Sequence, residues 1–432
     1  MVWIAALAVS FLLCVFAAFR GGYVGPDYNV HLERLTQWSQ IFDFSTTSPP
    51  TYFLLGYGLF KMIGTNNGFP IILSIIQAAT NTVVLWWFFL YSERRFNSPL
   101  LHTSLVLFLA FLPVRIIHST TIGTDCLTIP VFVLILFCFD KFLTEKGLKS
   151  AAYLGLALTL AVATKYSFMA LLPAAFVIFV VLSWKQSWGL ERFVMVGLVS
   201  LLVASVFSLA SFWLSSRVHG YNTEKHWLPK GAAADMDYYD LFAVKRADAR
   251  LFKAPEYFKK DILAAHRHGY LGLCHLGIFT DTMNLFQVLP LTQQFGRVLI
   301  PDQKTRHAWK TPVMMASMFG GVVWTLCALI GTVWALLRAA RNLFNGRLER
   351  EDSAILMGTA FFLLIFLPIP FVYGGALFGY WAPRLILPSL LCFSLAAFLF
   401  IDQKLARGSR KISLMVLALV TVQSALGIIM LA

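Results

Sequence analysis

Apolar blocks of about twenty residues recur along this chain, and a helix of that length crosses the hydrocarbon layer of a bilayer. This restricts the fold more than any motif does. Blocks fall at 2–19, 71–91, 101–118, 122–141, 151–164, 167–184, 193–214, 312–337, 354–372, 385–401 and 412–430. With 58% hydrophobic and only 13% charged residues, the chain is no water-soluble globular domain. The expected fold is an all-α polytopic membrane protein, a bundle of about 11 transmembrane helices. The first block lacks a basic leader and reads as a retained helix, with cleavage after Ala18 as the alternative. The short fifth block restarts after Thr164-Lys165-Tyr166, so it forms a tight hairpin with the sixth or one long broken element.

The formal charge is +14. Its basic residues lie largely between apolar blocks, where the positive-inside rule and anionic headgroups account for them, so no nucleic-acid partner follows. With alternating spans and the N-terminus inside, the short inner loops hold 15 of the 35 Lys and Arg, from Arg94 to Lys411. The short outer loops hold six: Arg20, Arg34, Lys61, Arg115, Lys165 and Arg384. The rest lie in 215–310, and long translocated loops count little toward orientation. That segment is too long for a structureless connection and is expected to fold as an external cap between transmembrane modules 1–214 and 311–432. Within it 256–268 reads as a basic amphipathic helix, and 270–288 is apolar enough to dip toward the membrane. The six cysteines are scattered and form no disulfide framework. His266, His268 and His275 fit no common helical ligand pair and read as a solvated basic face.

Polar chemistry collects in a few places. Directly after the first block come Gly25-Pro26-Asp27-Tyr28 and His31, then Ser48-Pro49-Pro50-Thr51-Tyr52. Tyr28, Leu32, Leu35, Trp38 and Phe42 recur at helical spacing, which predicts a helix lying along the membrane. The proline pair predicts a second helix over 51–63. Asp27, held just outside the first span, either caps the first of these helices or acts chemically. Asp125, in Gly123-Thr124-Asp125-Cys126, opens the fourth span, and Lys165 follows Gly155-Leu156-Ala157 and Thr164. Arg384 follows Phe378-Gly379-Tyr380-Trp381-Ala382-Pro383, and Arg115 and His118 stand one helical turn apart. Ionisable groups at such depth are expected to face protein or water rather than lipid. For Lys165 and Arg384 the structural alternative is snorkelling at a span end.

These features resemble the GT-C superfamily of integral-membrane glycosyltransferases, of the protein-mannosyltransferase and aminoarabinose-transferase type, which take a sugar from a polyprenyl-phosphate or -diphosphate carrier. The similarity rests on the acid and Pro-Pro pair of the first external loop, on Asp125 through Lys165, and on the late Arg384 loop. It departs from the commonest form, with two adjacent acids, because Tyr28 follows Asp27 and the next acid is Glu33. The resemblance implies that Asp27 is a general base, that Asp125 orients the acceptor, assists Asp27 or binds a metal, and that Lys165 and Arg384 clamp the lipid phosphate. His31, Arg115, His118, Tyr52, Tyr380 and Asp281 are secondary candidates, with Tyr52, Tyr380, Trp38 and Trp381 available to stack on a sugar. No cofactor is firmly implied, though Asp27, His31 and Asp125 are available to a divalent metal.

The function so expected is inverting transfer of a sugar from a polyprenyl-phosphate donor to an acceptor hydroxyl on a glycan, lipid or protein. The site would face the periplasm from a bacterial inner membrane, or the lumen from the endoplasmic reticulum. A ligase or polymerase using a diphosphate donor and a flippase for the same lipid are the alternatives. The flippase is disfavoured by the lack of two related halves.

Overall fold

A computed structural model of the chain describes residues 2–24, 28–41, 49–64, 68–145, 147–185, 197, 202, 270–280, 310–366 and 382–431. Among these the regular structure is helical throughout, with no strand. In chain order the helices are α1 (Val2–Phe19), α2 (Tyr28–Thr36), α3 (Trp38–Ile41), α4 (Thr51–Ile63), α5 (Phe69–Glu93), α6 (Pro99–Ala110), α7 (Pro113–Thr120) and α8 (Thr128–Glu145). They continue with α9 (Leu148–Thr164), α10 (Leu171–Lys185), α11 (Tyr270–Phe279), α12 (Lys310–Phe344), α13 (Arg350–Phe366), α14 (Ala382–Leu385), α15 (Leu387–Phe400) and α16 (Arg410–Leu431).

Every expected span meets a helix except 193–214, which falls almost wholly outside the described residues. Among the described residues seven helices are long and apolar enough to cross a membrane, or 8 if the bent pair α6 and α7 is one span, so the count of about 11 is not itself established. Helix α9 is apolar but shorter. The protein is thus an α-helical multi-pass membrane protein. α15 is its centre, packed on α12, α13, α6 and α8. It meets α12 closely because position 331 is glycine: a Cβ there would stand 2.7 Å from the Ala396 carbonyl oxygen.

The 49° bend between α6 and α7 has a sequence cause. Pro113 has no N–H to donate, and Leu112 before it takes an extended conformation. The Ala110 carbonyl freed by the break is served instead by side chains, accepting from Ser10 Oγ at 2.7 Å and from Arg115. That satisfies the rule that backbone polar groups at membrane depth find protein partners.

α4 starts and stops where the proline pair predicts. The surface helix from Tyr28 does not run on to Phe42 as its apolar period suggests, because it breaks at Gln37. The Thr36 hydroxyl bonds back to the Leu32 and Glu33 carbonyls, and Arg34 folds over to donate to Gln40 O at 3.1 Å and Ile41 O at 3.0 Å. The same guanidinium lies 3.8 Å from the centre of the Phe53 ring. Tyr23, Leu35, Ile41, Tyr52, Phe53, Phe69, Leu73, Ile122 and Cys126 form a small core of their own, which seats α2 to α4 on the start of α5 and on the turn around Asp125.

α9 and α10 are not a tight hairpin. Lys165 is extended, a short 3₁₀ turn follows at Tyr166–Ala170, and α10 leaves α9, which packs on α8, for α12 and α13. The expected amphipathic helix 256–268, with His266 and His268, lies outside the described residues. α11 does pack into the bundle, as its apolar character suggests. His275, expected on a solvated face, instead joins α11 to α12: its Nε2 donates to the Met318 carbonyl at 3.0 Å, which leaves Nδ1 to accept from the Thr325 hydroxyl at 3.1 Å.

Candidate functional site

The site is built at the end of the bundle where α5 and the 3₁₀ turn Thr124–Leu127 begin. The second to fourth turns of α5 present Ser74, Gln77 and Asn81 on one face, at steps of three and four, all buried. Ser74 Oγ donates to Thr120 O at 2.7 Å, and Asn81 Nδ2 donates to Cys126 O at 2.8 Å. Between them Gln77 Nε2 donates at 2.7 Å to the Tyr52 hydroxyl, which also accepts from the Gly123 backbone N–H at 3.1 Å. Ile122 N–H donates to Tyr23 O at 2.9 Å. The loop 120–126 is thus tied down at successive backbone groups. Gly123 fits because an added Cβ would stand 3.2 Å from the His31 ring.

On this fixed turn Asp125 is shared between two cations. One carboxylate oxygen pairs with Lys165 Nζ and the other lies 3.5 Å from Arg384 Nη1. Lys165 is delivered by the end of α9 and Arg384 by α14, so three separated parts of the chain converge on one carboxyl group. Burial pulls the Lys165 ammonium below its ordinary pKa, against the opposing pull of Asp125. His118, on α7, is near enough to feel Asp125, Arg384 and Lys165.

Of the residues singled out from sequence, the structure therefore brings His31, Tyr52, His118, Asp125, Lys165 and Arg384 to one place. Tyr52 is not free to stack on a sugar. It is 3% exposed, and burial holds its phenol well above its ordinary pKa, so it stays neutral and acts through its hydrogen bonds. Arg115 is turned away from the cluster. It is 2% exposed and donates to Ser10 Oγ and Ala110 O, while its Nε and Nη1 have no hydrogen-bond partner. Asp27, Tyr380 and Asp281 lie outside the described residues, as does Trp381. Among the described residues no group of three or more His, Cys, Asp or Glu gathers at a metal-binding distance.

Ser74, Gln77 and Asn81 were not anticipated. Hydropathy averages them away inside an apolar span, yet their shared helical face was a readable signal, since polar groups in a span turn inward.

Residues 47–215 match the family described as dolichyl-phosphate-mannose-protein mannosyltransferase. Over this stretch the chain is similar to the GT-C mannosyltransferases. The GT-C-like stretch holds Tyr52, His118, Asp125 and Lys165, while Asp27 and His31 precede it and Arg384 follows. No curated protein sequence matches the chain. Among solved structures, the apo oligosaccharyltransferase of Archaeoglobus fulgidus aligns at 12% identity with a TM-score of 0.45, covering 98% of this chain and 56% of that one. The ArnT of Cupriavidus metallidurans, bound to undecaprenyl phosphate, aligns at 14% identity with a TM-score of 0.35, covering 95% and 79%. The chain therefore spans little more than half the length of the oligosaccharyltransferase.

Proposed function

We propose that this protein is an inverting glycosyltransferase that moves a sugar from a polyprenyl-phosphate carrier to an acceptor hydroxyl on the external face of its membrane. The observation that carries this reading is the convergence of Lys165 and Arg384 on one place at the end of the bundle. Both are partly exposed, with side chains 12% and 21% accessible, as groups that meet a headgroup must be. A lipid tail has the apolar outer faces of the helices to lie along, and the cations take its phosphate.

In the reaction the acceptor oxygen attacks the anomeric carbon as the bond from that carbon to the phosphate oxygen breaks. The electron pair leaves with the phosphate, where Lys165 and Arg384 stabilise it without a protonating acid. The acceptor proton passes to a carboxylate on the opposite face of the sugar, and Asp27 fills that role in this reading. One displacement inverts the anomeric centre. The split of basic residues between inner and outer loops supports an external site, in a bacterial inner membrane or facing the lumen of the endoplasmic reticulum.

The test is transfer from a panel of radiolabelled polyprenyl-phosphate sugars by membranes carrying wild type, Asp27→Asn or Arg384→Gln. The expected result is transfer from one donor with an inverted product, abolished by Asp27→Asn and weakened in donor KM by Arg384→Gln. No transfer from any donor, with lipid still crossing the bilayer, would overturn the enzyme reading in favour of a flippase. Transfer only from diphosphate donors would instead mark a ligase or polymerase.

A further inference from the structure

We infer that Asp125 is the resident anion of the lipid-phosphate subsite, and that the donor binds by exchanging its phosphate for this carboxylate between Lys165 and Arg384. The inference rests on the lipid-phosphate reading above and concerns how that site is kept ready. In the structure each Asp125 oxygen engages a different cation, Oδ1 with Lys165 Nζ and Oδ2 with Arg384 Nη1. A phosphodiester presents the same pattern, one negative charge spread over two oxygens, and Lys and Arg are matched donors for either group.

Simple addition of a phosphate beside Asp125 would set two anions against each other in a partly desolvated site, where like charges repel more strongly than in water. Exchange avoids this. The backbone permits it, because the turn is anchored by its main-chain groups and not by the carboxylate: Gly123 N–H is held by Tyr52, and the Cys126 carbonyl by Asn81. The Asp125 side chain is therefore able to swing out by rotation at its own bonds while 120–126 stays in place.

A carboxylate that stays to hold the two cations in place for the phosphate and one that gives them up to it make opposite predictions for affinity. Binding of polyprenyl phosphate and of the phosphate-free polyprenol is measured on the purified full chain in detergent, by intrinsic tryptophan fluorescence. The proteins are wild type, Lys165→Gln, Asp125→Asn and the double variant Lys165→Gln/Asp125→Asn. Wild type is expected to prefer the phosphate. Lys165→Gln should weaken phosphate binding roughly tenfold or more, the loss of one charge-assisted contact, because Asp125 then keeps Arg384 to itself. Adding Asp125→Asn should restore binding to within about threefold of wild type by removing the carboxylate that competes for Arg384. Asp125→Asn alone should bind the phosphate more tightly than wild type. If that variant does not fold, the decision falls to the Lys165→Gln pair. A double variant that binds as weakly as Lys165→Gln, or more weakly, overturns the exchange while the lipid-phosphate site stands. A wild type that does not distinguish phosphate from polyprenol overturns the lipid-phosphate reading itself.

Discussion

The tie between Tyr52 and the Asp125 turn is open to a sharp test through Tyr52→Phe, which deletes one oxygen atom and changes little else. That oxygen accepts the Gly123 backbone N–H at 3.1 Å and the Gln77 amide at 2.7 Å in a site only 3% exposed. Phenylalanine fills the same space, so no cavity forms and the loss is confined to hydrogen bonding. A buried donor left without a partner costs about 1–3 kcal/mol. Gln77 has room to re-aim, because its own Oε1 lacks a partner, so the Gly123 N–H dominates and about 2 kcal/mol is expected. The cost appears either as lower stability, if the turn keeps its shape, or as lost turnover, if the turn shifts and carries Asp125 with it. In the second case 2 kcal/mol corresponds to roughly a 30-fold fall in kcat. Unfolding in detergent and transfer kinetics, measured on the same preparations, read both. Gln77→Leu leaves the Tyr52 to Gly123 bond intact and should cost less than Tyr52→Phe. The double variant should cost less than the sum of the singles, because the orphaned amide is gone. Unchanged unfolding with turnover within about twofold of wild type would show that the turn is held by other groups, and the reasoning would fail.

Arg115→Met should leave transfer intact and stability within about 1 kcal/mol of wild type or above it, since a buried guanidinium without a carboxylate partner in hydrogen-bond contact is replaced at little net loss. A loss of donor affinity like that of Arg384→Gln would return Arg115 to the phosphate site. At the opposite end, Asp402 is fully buried and accepts from the Asn97 and Ser98 backbone N–H groups at 2.7 and 3.0 Å, capping α6 from another part of the chain. Asp402→Ala should destabilise by about 3 kcal/mol while leaving turnover per folded molecule unchanged, as the two donors lose their acceptor. Equal stability by detergent unfolding would refute that cap. Gly331→Val should cost about 3 kcal/mol or more, visible as loss of folded protein on size exclusion, because its Cβ meets backbone atoms of Ala396 and Ala397 at 2.7 Å. A folded Gly331→Val of normal stability would mean α12 and α15 are not in this close contact.

What the sequence discloses and what it hides follow from the range of the interactions. Proline acts on its own neighbours, so the start of α4 and the break between α6 and α7 were within reach, the first anticipated outright. The apolar period from Tyr28 to Phe42 marked a shared face but not a continuous helix, because the break at Gln37 depends on where the Thr36 and Arg34 side chains turn. Asp125, Lys165 and Arg384 each stood out as a charge at a span end, but their meeting on one carboxylate is a tertiary fact. So is the other charged network, where α5, α8, α12 and α13 end or begin: Arg95 with Glu351 at 2.9 Å, Arg338 with Asp352 at 3.1 Å, and Arg350 with Asp140 at 2.9 Å. Both networks consist of ion pairs, and pairing therefore does not distinguish a site from a brace. The burial of the shared carboxylates does. Asp352 and Glu351 are 0% and 3% exposed and locked among helix ends, beneath cations that are themselves partly open, Arg95 at 34% and Arg338 at 22%. Asp125, at 15%, sits between two cations that are themselves partly open, on a turn whose backbone is secured without it. A brace spends its carboxylate on holding helices together, whereas here the helices and the turn are held by Ser74, Gln77, Asn81 and Tyr52, which leaves the Asp125 carboxylate available for exchange.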